Sequence, residues 1–181
     1  MNISQHVEKA AKFFPDSTAI IFEATPVTYR DLNARIDRLA NALKANGVGR
    51  GKCVALYLPN IPEFVIGYLA TGRVGAIAVS INSMYKSEEL NYILNDSGCV
   101  LIFTTGELLP NIPFNECQHL KHAVICEGDP QGRPTLRAPS RNQIGWYSGD
   151  GSVVTSSSPA ANAVNLLVET VILNYMALHG Q

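Results

Sequence analysis

The sequence contains little charge and no strong charge imbalance. Only 16% of its 181 residues are charged, and the formal net charge is −1. A surface that binds nucleic acid or an anionic membrane needs an excess of lysine and arginine, which this chain lacks. We therefore expect no nucleic-acid partner.

Long apolar segments are missing as well. The first residues, MNISQHVEKAAKFF, contain no apolar stretch of signal-peptide length. The most apolar helical stretch, residues 160–178, is interrupted by Asn165, Glu169 and Asn174, whereas a transmembrane helix needs about 20 predominantly apolar residues. The sequence predicts a cytoplasmic protein with no transmembrane segment.

The four cysteines show no spacing typical of a metal or redox site. Cys53, Cys99, Cys117 and Cys126 include no C-x-x-C pair. Three of them lie in apolar, strand-like runs, where free cysteine packs as a small hydrophobic side chain. The spacing predicts cysteines that belong to the core and no metal site.

Four apolar runs alternate with helical patterns along the first 126 residues. The predicted strands are 53–58, 76–81, 99–104 and 122–126. Strands that are apolar throughout and separated by helices are typical of a parallel sheet covered on both faces, and right-handed crossovers make such a sheet doubly wound. The fold class predicted is therefore α/β, a doubly wound, mainly parallel sheet with helices on both faces.

The ends of the helices carry their own signals. Thr28 is predicted to cap the first helix, and Gly47 to end it. Asn60 and Ser87 are predicted to cap the next two helices, and Gly98 to end the second of these. Before the first helix, residues 17–29 indicate a β-hairpin that turns at residues 24–26.

Composition divides the chain into three segments. Residues 1–126 form the predicted α/β part, residues 127–158 are rich in Gly, Pro and Ser, and residues 159–181 predict a helix that begins at Ser158-Pro159. A short strand is predicted at 144–147. The last helix has an apolar stripe whose members are Val164, Leu167, Val168, Val171, Ile172, Tyr175 and Leu178.

The glycine cluster at residues 47–52, GVGRGK, suggests a dinucleotide or Walker A loop. Both of those loops need a strand before them and a helix after them. Here a predicted helix ends at Gly47 and a strand begins at Cys53, so the order is reversed. The cluster is interpreted as a structural turn, and a nicotinamide-dependent Rossmann enzyme is rejected on the same ground.

Two collinear segments carry motifs of a known family. One, VTYRDLNARIDRLANALKANGVGRGKCVAL, begins at Val27, and the other, LPNIPEFVIGYLATGRVGAIAVSINSMYKSEELNYILNDSG, begins at Leu58. Over about residues 17–126 the chain resembles the adenylate-forming superfamily of acyl-CoA synthetases, luciferases and peptide-synthetase adenylation domains. Lys52 stands where that family usually has an aspartate. The stretch GAIAVSINSMYK favours the acyl-CoA synthetase branch.

The resemblance implies an acid–thiol ligase that uses ATP, Mg²⁺ and coenzyme A with a small-molecule carboxylic acid. The family's phosphate loop would correspond to WYSGDGS, with Ser148, Gly149, Gly151 and Ser152 as the nucleotide-binding candidates. The threonines and the Pro-Lys-Gly of that loop are missing, and so are the family's later motifs. We therefore expect no catalytic residue, no metal ligand and no bound cofactor in this chain.

Two functions remain open at this stage. One is the N-terminal portion of an AMP-forming acyl-CoA synthetase, truncated or disrupted near its phosphate loop and inactive alone. The alternative is a non-catalytic interaction module derived from the same family. With so few charged residues, the apolar surface left by an incomplete sheet also favours self-association.

Overall fold

The computed structural model describes residues 2–126 and the backbone of residues 145–148. Two short 3₁₀ helices lie between the fifth and sixth strands, at Leu109–Asn111 and Phe114–Glu116. The helices are α1 Ser4–Phe13, α2 Tyr29–Ala45, α3 Pro62–Arg73 and α4 Ser87–Ser97. The strands are β1 Thr18–Phe22, β2 Thr25–Thr28, β3 Cys53–Tyr57, β4 Ile77–Ile81, β5 Cys99–Thr104, β6 His122–Ile125 and β7 Gly145–Ser148.

The main sheet has the strand order β4-β3-β5-β6-β7. Its first four strands are parallel, and β7 runs antiparallel to β6. The two remaining strands, β1 and β2, form a separate antiparallel hairpin. The predicted α/β class with a mainly parallel sheet is therefore confirmed. No predicted boundary of a strand in this sheet differs from the observed one by more than one residue.

Two hydrophobic cores cover the two faces of the sheet. One face packs against α2 and α3, and its largest buried members include Ile36, Leu43, Leu56 and Phe103. The other face packs against α4 and the segment 109–116 that contains the two 3₁₀ helices (the 3₁₀ segment). Its buried members include Tyr57, Leu90 and Ile102. Helices on both faces are what a parallel sheet requires, because its strands are apolar on both sides.

Three of the predicted helix ends are confirmed. The Thr28 hydroxyl accepts a hydrogen bond from the Asp31 backbone N–H at 3.1 Å and donates one to the Asp31 carboxylate at 2.9 Å. Gly47 and Gly98 follow α2 and α4 with φ values of +73° and +62°. These left-handed conformations suit glycine, which has no Cβ to clash with the backbone.

Two of the predicted helix caps were wrong. The N-cap of α3 is Ile61 rather than Asn60, and Pro62 takes the first helical position. The N-cap of α4 is Lys86, whose backbone N–H is satisfied by Glu89 at 3.0 Å, while the Ser87 hydroxyl donates to the Asn111 carbonyl at 2.9 Å. The Ser87 hydroxyl is therefore hydrogen-bonded to the 3₁₀ segment and does not cap α4.

The hairpin turns one residue earlier than predicted. Thr25 and Pro26 belong to β2, and the turn is formed by Glu23 and Ala24, with φ values of +47° and +65°. A two-residue hairpin turn of this kind needs positive φ at both central positions, where asparagine and glycine are usual. Neither Glu23 nor Ala24 is an asparagine or a glycine, so the sequence did not indicate a turn at these residues. The turn was predicted around Pro26 instead.

The N-terminal helix α1 was not predicted. Of its residues only Ser4 is buried, so it has no broad apolar stripe. Val7 packs against the core, and the Arg73 side chain, which is only 10% exposed, connects α1 to two other helices. The guanidinium donates to the Ser4 hydroxyl at 2.7 Å and to Asn33 at 3.0 Å, and it pairs with Glu8 at 3.2 Å and Asp37 at 2.5 Å. One side chain thus joins α1, α2 and α3.

Candidate functional site

The first candidate of the predicted phosphate loop, Ser148, is the last residue of β7. In the antiparallel pairing with β6, Ser148 lies opposite His122 and Gly145 lies opposite Ile125. Ser148 therefore lies level with the amino ends of the parallel strands, which together form one edge of the sheet. The chain leaves β7 from that edge. The other three candidates, Gly149, Gly151 and Ser152, lie outside the described residues.

This edge of the sheet carries helix carboxyl ends. Short connections join α2, α3 and α4 to β3, β4 and β5, so these helices end close to where the strands begin. A helix carboxyl end bears about half a negative charge, which disfavours phosphate. Lys52 and Lys121 stand just before β3 and β6 and are exposed, so they face water rather than a formed pocket.

His122 supplies no positive charge at neutral pH. Burial lowers the pKa of its imidazole from the usual value, and the neighbouring Lys121 lowers it further. The ring is therefore neutral at pH 7 and cannot balance a triphosphate. The exposed cations that the structure places at this edge include Lys52, Lys121 and Arg50, which precedes β3 and lies beside Gly75.

The opposite edge, at the carboxyl ends of the strands, is where open α/β sheets usually bind ligands. In this chain a polar network closes it over β3. The wholly buried Tyr57 donates its hydroxyl hydrogen to the Tyr85 carbonyl at 2.6 Å and accepts a hydrogen bond from the Asn111 amide at 3.2 Å. Burial raises the pKa of Tyr57, so the phenol keeps its proton at neutral pH.

This network was missed from the sequence. A tyrosine at the end of an apolar strand gives no local indication of its partners, which lie 28 and 54 residues away. The hydroxyl of Ser87 extends the network through the Asn111 carbonyl. Its members bond to one another and hold the segments 82–87 and 109–112 on the end of β3, which is a positioning role.

A shallow groove of about 430 Å³ lies on the outer side of α4, lined by Glu88, Asn91, Tyr92, Asn95 and Asp96. Its two carboxylates would repel a phosphate. Across residues 2–126 and 145–148, no group of three or more His, Cys, Asp or Glu side chains could hold a metal ion.

No helix among the described residues is both long and apolar enough to cross a membrane. The hydrophobic core residues of α2, α3 and α4 instead face the sheet.

Comparison with known proteins gives the family. The profile of the AMP-binding enzyme family matches residues 7–164. Over 97 residues the chain is 41% identical to a 3-hydroxybenzoate–CoA ligase of Aromatoleum sp. (strain CIB), a match that covers 54% of this chain and 18% of the ligase. Over 108 residues it is 36% identical to tyrocidine synthase 3 of Brevibacillus parabrevis, covering 60% of this chain and 2% of the synthase.

A solved structure agrees with these relatives. An anthranilate CoA ligase in complex with anthranoyl-AMP superposes with a TM-score of 0.68 and 25% identity, covering 82% of this chain and 33% of that chain. The chain belongs to the AMP-binding enzyme family, the adenylate-forming enzymes, and it corresponds to their N-terminal portion. It spans 18% of the length of the hydroxybenzoate–CoA ligase.

Proposed function

We propose that this chain is the N-terminal portion of an AMP-forming acyl-CoA synthetase and that it forms no acyl-adenylate alone. The observation that carries the proposal is the contrast between its two parts. Residues 17–126 match the family both in the order of their sequence motifs and in their fold. The loop that begins at Ser148, in contrast, lacks the family's lysine. The proposed division is an α/β part at 1–126, a loop region at 127–158 and a helix at 159–181.

The acyl-CoA synthetase branch is supported by the relatives. The hydroxybenzoate–CoA ligase and the anthranilate CoA ligase both act on aromatic carboxylic acids, as their names state. Tyrocidine synthase 3 is also similar to this chain, although its name describes a different kind of synthase. The similarities therefore support the acyl-CoA synthetase branch but do not distinguish it from peptide-synthetase adenylation domains. ATP, Mg²⁺, coenzyme A and a carboxylic acid are the substrates and cofactors we propose for the complete enzyme.

The loop composition explains why nucleotide binding should be weak. Asp150 places a carboxylate in the segment that would surround phosphate, and no lysine occurs from residue 122 to the end of the chain. Two unit charges of the same sign at about 4 Å repel by about 1–4 kcal/mol between water-like and surface dielectric constants. The segment Ser148–Ser152 is thus proposed as a degenerate phosphate loop.

We expect the wild-type chain to bind ATP·Mg²⁺ with a dissociation constant above about 1 mM, a binding free energy under about 4 kcal/mol in magnitude. The substitution Asp150→Thr should strengthen binding at least about fivefold, because it removes about 1 kcal/mol of repulsion. Isothermal titration calorimetry measures both values.

Asp96→Thr is the matched control, because it removes an exposed carboxylate on α4 and should leave the affinity unchanged. Micromolar binding by the wild type would overturn the proposed loss of the phosphate loop. Equal affinities for wild type and Asp150→Thr would remove Asp150 from the explanation.

A second candidate function is a non-catalytic interaction module, and one observation favours it. β4 lies at the edge of the described sheet and pairs with β3 alone among the described strands. Its Ile77 side chain is 53% exposed. An edge strand whose outer side has no partner strand, and which carries exposed apolar residues, is a template for pairing with another chain.

We therefore expect self-association. Size-exclusion chromatography with light scattering should give a mass above the 19.6 kDa monomer that rises with protein concentration. Ile77→Lys should shift the chain toward monomer, because a charge on an edge strand opposes pairing. Ile21→Lys, at a 71% exposed position on the separate hairpin, is the matched control and should not. A concentration-independent wild-type monomer would contradict association through β4.

The locus itself separates the two candidates. Coding sequence downstream that restores a Ser-Gly-Thr-Thr-Gly and Pro-Lys-Gly stretch and the later family motifs would favour a disrupted synthetase. An intergenic sequence with no such remnants would favour the interaction module.

A further inference from the structure

Two cysteines that are 46 residues apart in sequence face each other in the sheet. Cys53 at the start of β3 and Cys99 at the start of β5 are direct partners in the parallel register. Adjacent strands lie about 4.7–4.9 Å apart, and a disulfide needs a Cα–Cα distance of about 4.4–6.8 Å. The backbone therefore already holds the two residues within the range of a bond.

Their side chains lie on the same face of the sheet. Cys99 is fully buried in the core beneath α4, and the partly buried Cys53 packs against that core. The pairing register shifts directly after Cys53, so Val100 is an extra residue on β5. A bulge of this kind increases the local twist and redirects the neighbouring side chains.

Access differs between the two thiols. Cys53 is partly exposed, whereas Cys99, Cys117 and Cys126 are buried. Cys126 belongs to the core on the other face of the sheet. A small oxidant in solution therefore meets Cys53 first, and the register then makes Cys99 its nearest partner along the backbone.

We propose that Cys53 and Cys99 form a redox-sensitive dithiol that a peroxide closes into a disulfide. In the first step the Cys53 thiol reacts with hydrogen peroxide to give a sulfenic acid and one water. In the second step the Cys99 sulfur attacks the Cys53 sulfur, its proton leaves with the hydroxyl as a second water, and the S–S bond forms. The peroxide is reduced and the two thiols are oxidised by two electrons.

The surroundings of Cys99 make the second step slow at neutral pH. Burial raises the pKa of the Cys99 thiol to about 11, although a hydrogen-bond contact with the Ser97 hydroxyl at 3.1 Å partly offsets it, and Cys53 and Cys117 are the other titratable groups facing it. Because the thiolate is the attacking form, the rate of disulfide formation should rise about tenfold for each pH unit well below that pKa.

The site is one that sequence spacing did not indicate. The expectation of core cysteines without a redox role rested on the absence of a C-x-x-C pair, and the parallel register brings together residues from two separate strands. Cys117 is a rival partner for Cys99, but it follows the second 3₁₀ helix and no strand pairing fixes its distance. The test must therefore separate these two pairings.

The experiment treats the full chain with hydrogen peroxide, blocks remaining thiols with iodoacetamide and digests it with trypsin and an endoprotease specific for glutamate. Cleavage after Lys52, Lys121 and the glutamates separates the four cysteines into fragments 53–63, 90–107, 117–121 and 122–127. We expect fragments 53–63 and 90–107 to be joined by a bond that dithiothreitol opens, and the intact protein to be lighter by about 2 Da when it is weighed before the iodoacetamide step. Thiol titration of the denatured protein should fall from four groups to two.

Variants decide between the pairings. Cys117→Ser should still form the linked fragments, and Cys53→Ser should not. Because Cys99→Ser places a hydroxyl in an apolar core, Cys99→Ala serves as a second variant, and circular dichroism checks that each variant is folded. A bond between fragments 90–107 and 117–121, or Cys53 oxidised without any linked partner, would overturn the proposal.

Discussion

The isolated chain is expected to give no ATP–pyrophosphate exchange with any carboxylic acid. Adenylation requires the charge that develops on the triphosphate to be balanced by preorganised cations and N–H donors. The WYSGDGS loop offers no lysine for that task and adds the Asp150 carboxylate. Removing a single preorganised donor typically lowers kcat by about 10²–10³, and here the lysine and the later family motifs are absent from the 181 residues together.

The measurement follows exchange of labelled pyrophosphate into ATP with a panel of hydroxybenzoates and of short to long fatty acids. A complete CoA ligase of the family, assayed in parallel, verifies the conditions. We expect the chain to stay at the level of the no-enzyme control. Acid-dependent exchange above that level would show that these residues assemble a working site, and the proposed function would then be wrong.

Replacing Arg73 by alanine should lower the free energy of unfolding by about 3 kcal/mol. The guanidinium is nine-tenths buried and donates to the Ser4 hydroxyl, the Asn33 amide oxygen and the Asp37 carboxylate. Removing one partner of a buried, hydrogen-bonded charge network leaves its other members without the donor, which typically costs about 3–5 kcal/mol. We take the lower end because Glu8 and Asp37 are half exposed and regain water.

Urea denaturation followed by circular dichroism measures this effect. Arg30→Ala is the matched control, since Arg30 pairs with Asp16 at 2.8 Å but both side chains are exposed. An exposed ion pair contributes little because water screens it, so the control should unfold near the wild-type midpoint. Arg73→Lys should lie between the two, because lysine keeps the charge but lacks the planar fork. Equal loss for Arg73→Ala and Arg30→Ala would contradict the network.

The same network bears on the place of α1 in the fold. The helix contacts the rest of the domain through Arg73 to Ser4 and Glu8, through the Asn2 amide to the Gly72 carbonyl, and through Val7, which packs against the core. If Arg73 is the main link, Arg73→Ala should release α1 before the sheet unfolds. Limited proteolysis should then cut the variant first within residues 2–16.

Local patterns in the sequence were sufficient for most of the α/β layer. Residues 53–57, 77–81, 99–104 and 122–125 are apolar runs of strand length, and each is followed or preceded by a helix with its own end signals. Thr28, Gly47 and Gly98 act through contacts within three or four residues, which is why they were recognised. The family motifs were also local and collinear.

The tertiary structure decided everything that depends on distant partners. The direction of β7, and with it the position of Ser148 at the edge where the parallel strands begin, follows from pairing with β6 across the 19 residues of chain between the two strands. The same holds for the closure of the opposite edge by Tyr57 and Asn111, for the docking of α1 on Arg73, and for the juxtaposition of Cys53 with Cys99. Hydrophobic periodicity specifies which residues are buried, but strand order and register are set by long-range packing, which a local pattern does not encode.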